Sequence, residues 1–374
     1  MIERSLIEQI VPRLFKGKAV IITGARQVGK TTLARALEQK INQKSLWLSG
    51  DEPDIREQFS NVTSTQLQSL IGNNKVVFID EAQRIANIGL TLKLIVDNLK
   101  DVQVIATGSS SFELSNQIQE PLTGRKYEFF LYPLSFGESC EHSSQIEEMR
   151  LLEHRLIYGY YPEIVTQSGD EQVLLNSIGE SYLYKDVLAT GKIKKPAMLE
   201  KLLQALALQV GKEVSFNELS QLIGVDNQTV ERWIDILEKS FVVFRLKTLS
   251  RNARNELKKT RKIYFYDNGI RNAIIKNFNA LALRMDVGEL WENFLITERM
   301  KFLQRKEILA NLFFWKSQSQ QEIDFIEEFG GKLFGFEFKW NPQKKVKFPT
   351  HFLRSYPNVE TKIINRANFV EFIK

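Results

Sequence analysis

The chain has one cysteine and three histidines in 374 residues. A lone thiol, Cys140, excludes an intrachain disulfide and any zinc site built on cysteines. His142, His154 and His351 are too scattered to suggest a histidine-rich metal site. No apolar stretch approaches the roughly 20 residues that a membrane-spanning helix needs. The opening segment, MIERSLIEQIVPRLF, is amphipathic and charged, unlike a secretory signal. These shortages point to a cytoplasmic protein with no membrane part. With 26% charged and 43% hydrophobic residues the composition is otherwise ordinary, and the length suffices for more than one cored domain.

Acidic residues are scarce in one place. Ten basic side chains fall between Phe241 and Ala280: Arg245, Lys247, Arg251, Arg254, Lys258, Lys259, Arg261, Lys262, Arg271 and Lys276. Only Glu256 and Asp267 oppose them, so the window carries +8 and the rest of the chain −2 of the net +6. Such a patch on a neutral body suits contact with a polyanion, or equally a solvated loop.

The run Gly24 to Thr32 (GARQVGKTT) fits G-x-x-x-x-G-K-[ST]. It follows an apolar strand pattern, KAVIIT, and precedes a helical pattern with Leu33 and Leu37 on one face. In that context Gly24, Ala25, Arg26, Gln27, Val28 and Gly29 form a phosphate-binding loop whose backbone N–H groups cradle a polyphosphate. Free N–H groups at the helix start add to the anion site. Lys30 would reach the β- and γ-phosphates, and Thr31, next to Thr32, would hold Mg²⁺. ATP with Mg²⁺ is the expected ligand.

A second apolar strand, KVVFI, ends in Asp80 and Glu81. Asp80 is placed to hold Mg²⁺ and Glu81 to orient and deprotonate the attacking water. A third strand, VQVIAT, runs into Gly108, Ser109 and Ser110. Either serine could sense the γ-phosphate or simply cap a helix. Arg125, in LTGRKYEFF, is a candidate arginine finger, supplied in cis or by a neighbouring copy in a homo-oligomer, or else a surface arginine.

The motifs GARQVGKTTL, FIDEAQR at Phe78 to Arg84, TGSSSFEL, LTGR and YPLSFGE resemble an uncharacterised prokaryotic group of AAA-type ATPases. YGYYPEIV at Tyr158 to Val165 is similar to that group's glycine-rich segment, with Tyr160 where glycine is more usual. The resemblance spans nearly the whole chain and implies ATP hydrolysis in the AAA manner, with Lys30, Thr31, Asp80, Glu81, Ser109 and Arg125 in the roles given. It implies no particular physiological substrate.

The fold class read from this pattern is α/β: an AAA-type P-loop core with a parallel sheet over residues 1–136, then a helical lid or linker over 137–195. Residues 196–280 read as a winged helix. A helix from Met198 is followed by a second opened by an S-x-x-E capping box at Ser215 and Glu218, and a third starts near Asn227. Two strands then flank the basic loop Lys247 to Arg261, which would be the wing. Asn227, Gln228, Thr229 and Arg232 could reach DNA, while Glu231 and Asp235 would repel it. A protein partner is the competing use of such a module.

Residues 281–374 read as a small α/β domain. Glu292 lies on a helix, Asp324 in EIDFI, and Glu337 with Lys339 in FEFKW, beyond a Gly330-Gly331 turn. Two carboxylates and a lysine on neighbouring strands meet the needs of metal-assisted phosphodiester cleavage. The set resembles the PD-(D/E)xK nuclease fold, which implies a second divalent metal held by Asp324 and Glu337, though Ile323 replaces the usual proline. Three functions follow as expectations: a DNA-associated ATPase switch, an ATP-gated nuclease, or a non-catalytic nucleotide switch that binds a protein partner.

Overall fold

The computed structural model describes residues 2–109, 118, 120–179, 187, 195–250, 261–317 and 319–374. Ser110 and most of the expected wing, Arg251, Arg254, Lys258 and Lys259 included, lie outside the described residues. The chain forms two compact units, the first spanning Met1–Pro133 and the second most of Leu134–Lys374.

The first unit is built on five strands: β1 (Ala19–Thr23), β2 (Ser45–Ser49), β3 (Val76–Asp80), β4 (Gln103–Gly108) and β5 (Lys126–Phe130). All pair in parallel, in the order β2-β3-β4-β1-β5. Strands covered on both faces must be apolar throughout, and β1 (AVIIT), β3 and β4 are buried along almost their whole length. Val77, Ile79, Val104 and Ala106 join Leu92 and Ile95 of helix Ile88–Asn98 in one core cluster. This is the parallel-sheet α/β fold of P-loop NTPases. Its strand order puts β4 between β1 and β3, so three strand ends bearing chemistry emerge side by side.

The second unit has seven strands: β6 (Glu213–Val214), β7 (Val243–Thr248), β8 (Arg261–Phe265), β9 (Asn311–Lys316), β10 (Glu322–Phe329), β11 (Lys332–Phe338) and β12 (Glu360–Ile364). They form one sheet, β12-β11-β10-β9-β7-β8-β6. The parallel pairing of Lys247 with Phe313 and Thr248 with Phe314 joins the strands on either side of residue 281. Helices Pro196–Leu208, Phe216–Ile223 and Asn227–Lys239 precede β7 in the expected order. Ser215 Oγ accepts from the Glu218 N–H, which is the serine half of the expected capping box.

The segment read as a nucleotide lid is helical, as in Leu152–Tyr158 and Glu171–Gly179, but it packs inside the second unit. Asn272 Nδ2 of helix Asn268–Ile274 donates to the Ile157 carbonyl at 2.7 Å, and the Tyr160 N–H donates to Asp267 Oδ2 at 2.7 Å. Those buried bonds tie it to residues beyond position 260.

Candidate functional site

At the carboxyl end of β1 the chain turns through Gly24, Ala25, Arg26, Gln27, Val28 and Gly29 into helix Lys30–Ile41. Gln27 has φ 61° and Gly29 φ 93°, so successive N–H groups turn toward a common centre. At Gly29 a glycine avoids the strain of that backbone, and no side chain caps the helix start. Thr32 follows on the exposed first turn. Lys30 is 5% exposed, and its Nζ donates to the carbonyls of Gly24 at 3.1 Å and Ala25 at 2.9 Å. Arg4 fixes the loop from outside, donating to the Val28 carbonyl at 2.9 Å and the Tyr132 carbonyl at 2.6 Å.

Thr31 Oγ1 donates to Asp80 Oδ2 at 2.7 Å, so loop and acid pair meet across two strand ends. Thr107, near the end of β4, donates to the other Asp80 oxygen. Glu81 follows in a left-handed conformation, φ 47°. Its Oε2 accepts from Gln83 Nε2 at 2.6 Å and Ser109 Oγ at 3.0 Å. Gln83 also donates to Ser109 Oγ at 3.0 Å. Lys30, Thr31, Asp80, Glu81 and Ser109 therefore form one constellation. Sequence reading missed Thr107 and Gln83. Both carried a faint signal, since Thr107 alternates with Ser109 along one strand face and Gln83 stands two residues after Glu81.

Arg125 is elsewhere. It directly precedes β5, whose first residue pairs with Ala19 at the start of β1. It therefore sits on the amino edge of the sheet, about 15 Å of strand away from the loop. Its Nε donates to Asp97 Oδ1 at 2.7 Å. A finger acting on the nucleotide of its own chain is excluded by that placement.

The nuclease-like residues also meet. The β10–β11 hairpin brings Asp324 beside Lys339, whose Nζ lies 3.3 Å from Asp324 Oδ2 and 2.8 Å from Glu337 Oε2. The Phe338 N–H donates to Asp324 Oδ2 at 2.8 Å. Glu292 of helix Val287–Arg305 lines the same cavity, of about 600 Å³, as Asp324 and Lys339. Glu298, on that helix, is buried elsewhere, accepting from the Phe136 N–H at 2.7 Å and Lys301 Nζ at 2.6 Å. Two neighbours were not foreseen. Lys262 of β8 lies 3.2 Å from Glu292 Oε1 and also binds Glu322, and Tyr264 donates to Glu292 at 2.6 Å. Burial pushes the Glu292 carboxyl up to about 7; Lys262 pulls it down, and the Asp324 charge adds to the rise. Burial and then the Asp324 charge push Glu337 up to about 7 as well. Burial opposes the charge on Lys262, yet Glu292 and Glu322 outweigh it and raise its pKa.

The basic window is less available than its charge suggests. Arg245 is held by Asp235 and Glu238, Lys262 by Glu292 and Glu322, and Arg271 by Asp286. The Arg245 pair also neutralises Asp235, one of the two acids expected to repel a polyanion from helix Asn227–Lys239. Asn227, Gln228 and Arg232 of that helix are exposed, as is Glu231.

Residues 16–140 match an AAA domain family. Residues 149–281 and 287–370 match two domains of unknown function, DUF8612 and DUF4143. An uncharacterised protein of Mycobacterium tuberculosis is 26% identical over 334 residues, covering 87% of this chain and 71% of that one. One of Methanocaldococcus jannaschii is 25% identical over 342 residues, covering 84% and 73%. Among solved structures, a Walker-type ATPase of Pyrococcus abyssi superposes with TM-score 0.48 at 16% identity, over 74% of this chain and 96% of that one. The RuvB Holliday junction branch migration motor of Thermotoga maritima gives 0.33 at 16%, over 69% and 95%.

A P-loop domain of this type takes a nucleoside triphosphate, typically with Mg²⁺, and the residues fit. An uncapped helix start offers N–H donors to phosphate. The Thr31 hydroxyl and Asp80 carboxylate, 2.7 Å apart, are the hard oxygen donors Mg²⁺ prefers. Among the described residues no helix is long and apolar enough to cross a membrane.

Proposed function

We propose that the AAA-type domain over residues 16–140 hydrolyses ATP and that the chain is a DNA-associated ATPase switch. The observation that carries the first part is Glu81, anchored beside Asp80 by Gln83 and Ser109. Both donors fall on Oε2, which leaves Oε1 to take the proton of the attacking water. The water oxygen then bonds to the γ-phosphorus as the β–γ bridging oxygen departs with ADP. Lys30 follows the phosphate charge, and Ser109 is close enough to Glu81 to hold the water or a γ-oxygen. Mg²⁺, held by Thr31 and Asp80, would neutralise phosphate charge when bound. Arg125, on the opposite sheet edge, is assigned to the site of a neighbouring copy in a homo-oligomer.

The DNA part is supported by the order of helices and strands over residues 196–265, which is that of a winged helix. The exposed Asn227, Gln228 and Arg232 at the start of its third helix add to it. Backbone phosphates are the expected targets. The test is steady-state ATP turnover with and without duplex or single-stranded DNA, for wild type and Glu81→Gln. Wild type should turn over ATP faster with DNA, and the variant should bind ATP but hydrolyse it roughly 10²–10⁴-fold more slowly. Normal turnover by Glu81→Gln removes the assigned base. No DNA binding even at low salt favours a protein partner instead.

A further inference from the structure

The C-terminal cluster has the residue types of a metal-dependent nuclease, but its geometry does not suit a metal. A divalent ion needs carboxylate oxygens free to face it. Here each carboxylate is already paired, through one of its oxygens, with a lysine of the chain itself. Lys262 enters from β8 with its side chain 2% exposed, its Nζ 3.2 Å from Glu292 Oε1 and also bonded to Glu322. Lys339 Nζ joins Asp324 and Glu337, at 3.3 and 2.8 Å. Tyr264 and the Phe338 N–H donate to those same oxygens, Glu292 Oε1 at 2.6 Å and Asp324 Oδ2 at 2.8 Å. Among the described residues no three acids or other ligating side chains stand in a metal-holding arrangement.

We propose that Lys262 is the resident cation of this cavity, fixed between Glu292 and Glu322 while Lys339 holds Asp324 and Glu337, so that the pocket excludes metal and does not cleave phosphodiesters by a metal-assisted route. Three elements, β8, helix Val287–Arg305 and β10, send a charge to one point, and the ammonium between the two glutamates satisfies both. A buried lysine so placed has no solvent to retreat into, and a divalent ion entering beside it would meet a fixed like charge. The cluster then staples the β10–β11 hairpin to the rest of the sheet.

The experiment measures Mn²⁺ binding by the loss of free-ion paramagnetic resonance signal, on the full chain with Asp80→Asn to silence the nucleotide-site metal. No stoichiometric Mn²⁺ should bind at millimolar concentration. Adding Lys262→Met should create one Mn²⁺ site, which Asp324→Asn in turn removes. The proposal is overturned if Mn²⁺ binds one-to-one with Lys262 intact and is lost with Asp324→Asn. It is equally overturned if a folded Lys262→Met chain gains no site. Should Lys262→Met not fold, the comparison with and without Asp324→Asn still decides, as does strand cleavage. Mn²⁺-dependent cutting by wild type that Asp324→Ala abolishes refutes the inference.

Discussion

Gly159 shows how much a single position can carry. Its φ is +75°, and a Cβ there would lie 2.0 Å from Asp267 Oδ1. Asp267 is buried and accepts from the N–H groups of Tyr160 and Ile270, the latter opening helix Asn268–Ile274. Gly159→Ala must displace that carboxylate and strand buried donors, at about 1–3 kcal/mol for each donor left unmet. Urea denaturation should show a loss of roughly 2 kcal/mol or more. A loss under about 0.5 kcal/mol, within the range of ordinary surface changes, would mean the turn relocates freely. Glu337 makes a second residue-scale prediction. A carboxyl of this kind ordinarily titrates near 4.5, and in the folded chain burial and then Asp324 hold it at about 7. Between those values the folded state keeps a proton that the unfolded state has released. Its contribution to stability is therefore greatest below about pH 4.5 and declines as pH rises through 7. Denaturation midpoints of wild type and Glu337→Gln should agree near pH 5, with the glutamine chain the more stable by pH 8. A gap that does not change with pH removes the shift.

At the scale of elements, strand direction decides what a motif can do. Gly24, Asp80 and Ser109 share an edge because β1, β3 and β4 are parallel and adjacent. Arg125 is at the other edge because it directly precedes a strand rather than following one. Its assignment to a neighbouring copy makes a mixing experiment decisive. Arg125→Ala should lower turnover by about 10³-fold or more while ATP binding persists. Adding Glu81→Gln chains, which keep the arginine but lack the base, should restore part of the rate. Failure to restore it, in a chain shown to oligomerise, would remove the finger. The motifs themselves were legible because loop, acid pair and serine each follow an apolar run that reads as a strand. The direction of Arg125 was not, since spacing along the chain does not say which sheet edge a residue meets.

At the scale of the molecule, charge counting and placement part company. The window 241–280 promised ten free cations, but Arg245, Lys262 and Arg271 are consumed by acids from other segments. On the proposed DNA-associated reading, affinity should therefore rest on fewer phosphate contacts, and its salt dependence reports how many. Lys258→Ala with Lys259→Ala should reduce the slope of log affinity against log salt by about 2 and weaken all sequences alike. An unchanged slope would take the wing out of the interface. The nucleotide site was determined by the sequence almost entirely, because a phosphate loop is built from consecutive residues whose backbone does the binding. So was the meeting of Asp324 with Lys339, because one hairpin turn joins them. What only the tertiary structure decided is the company those groups keep. Arg4 reaches the loop and Thr107 reaches Asp80 from separate elements, Gln83 ties Ser109 to Glu81, and Lys262 reaches Glu292 and Glu322 from a strand well upstream of both. A charge is a ligand, a counter-ion or a solvated side chain according to what stands within about 4 Å of it, and that distance is set by packing between segments far apart in the chain.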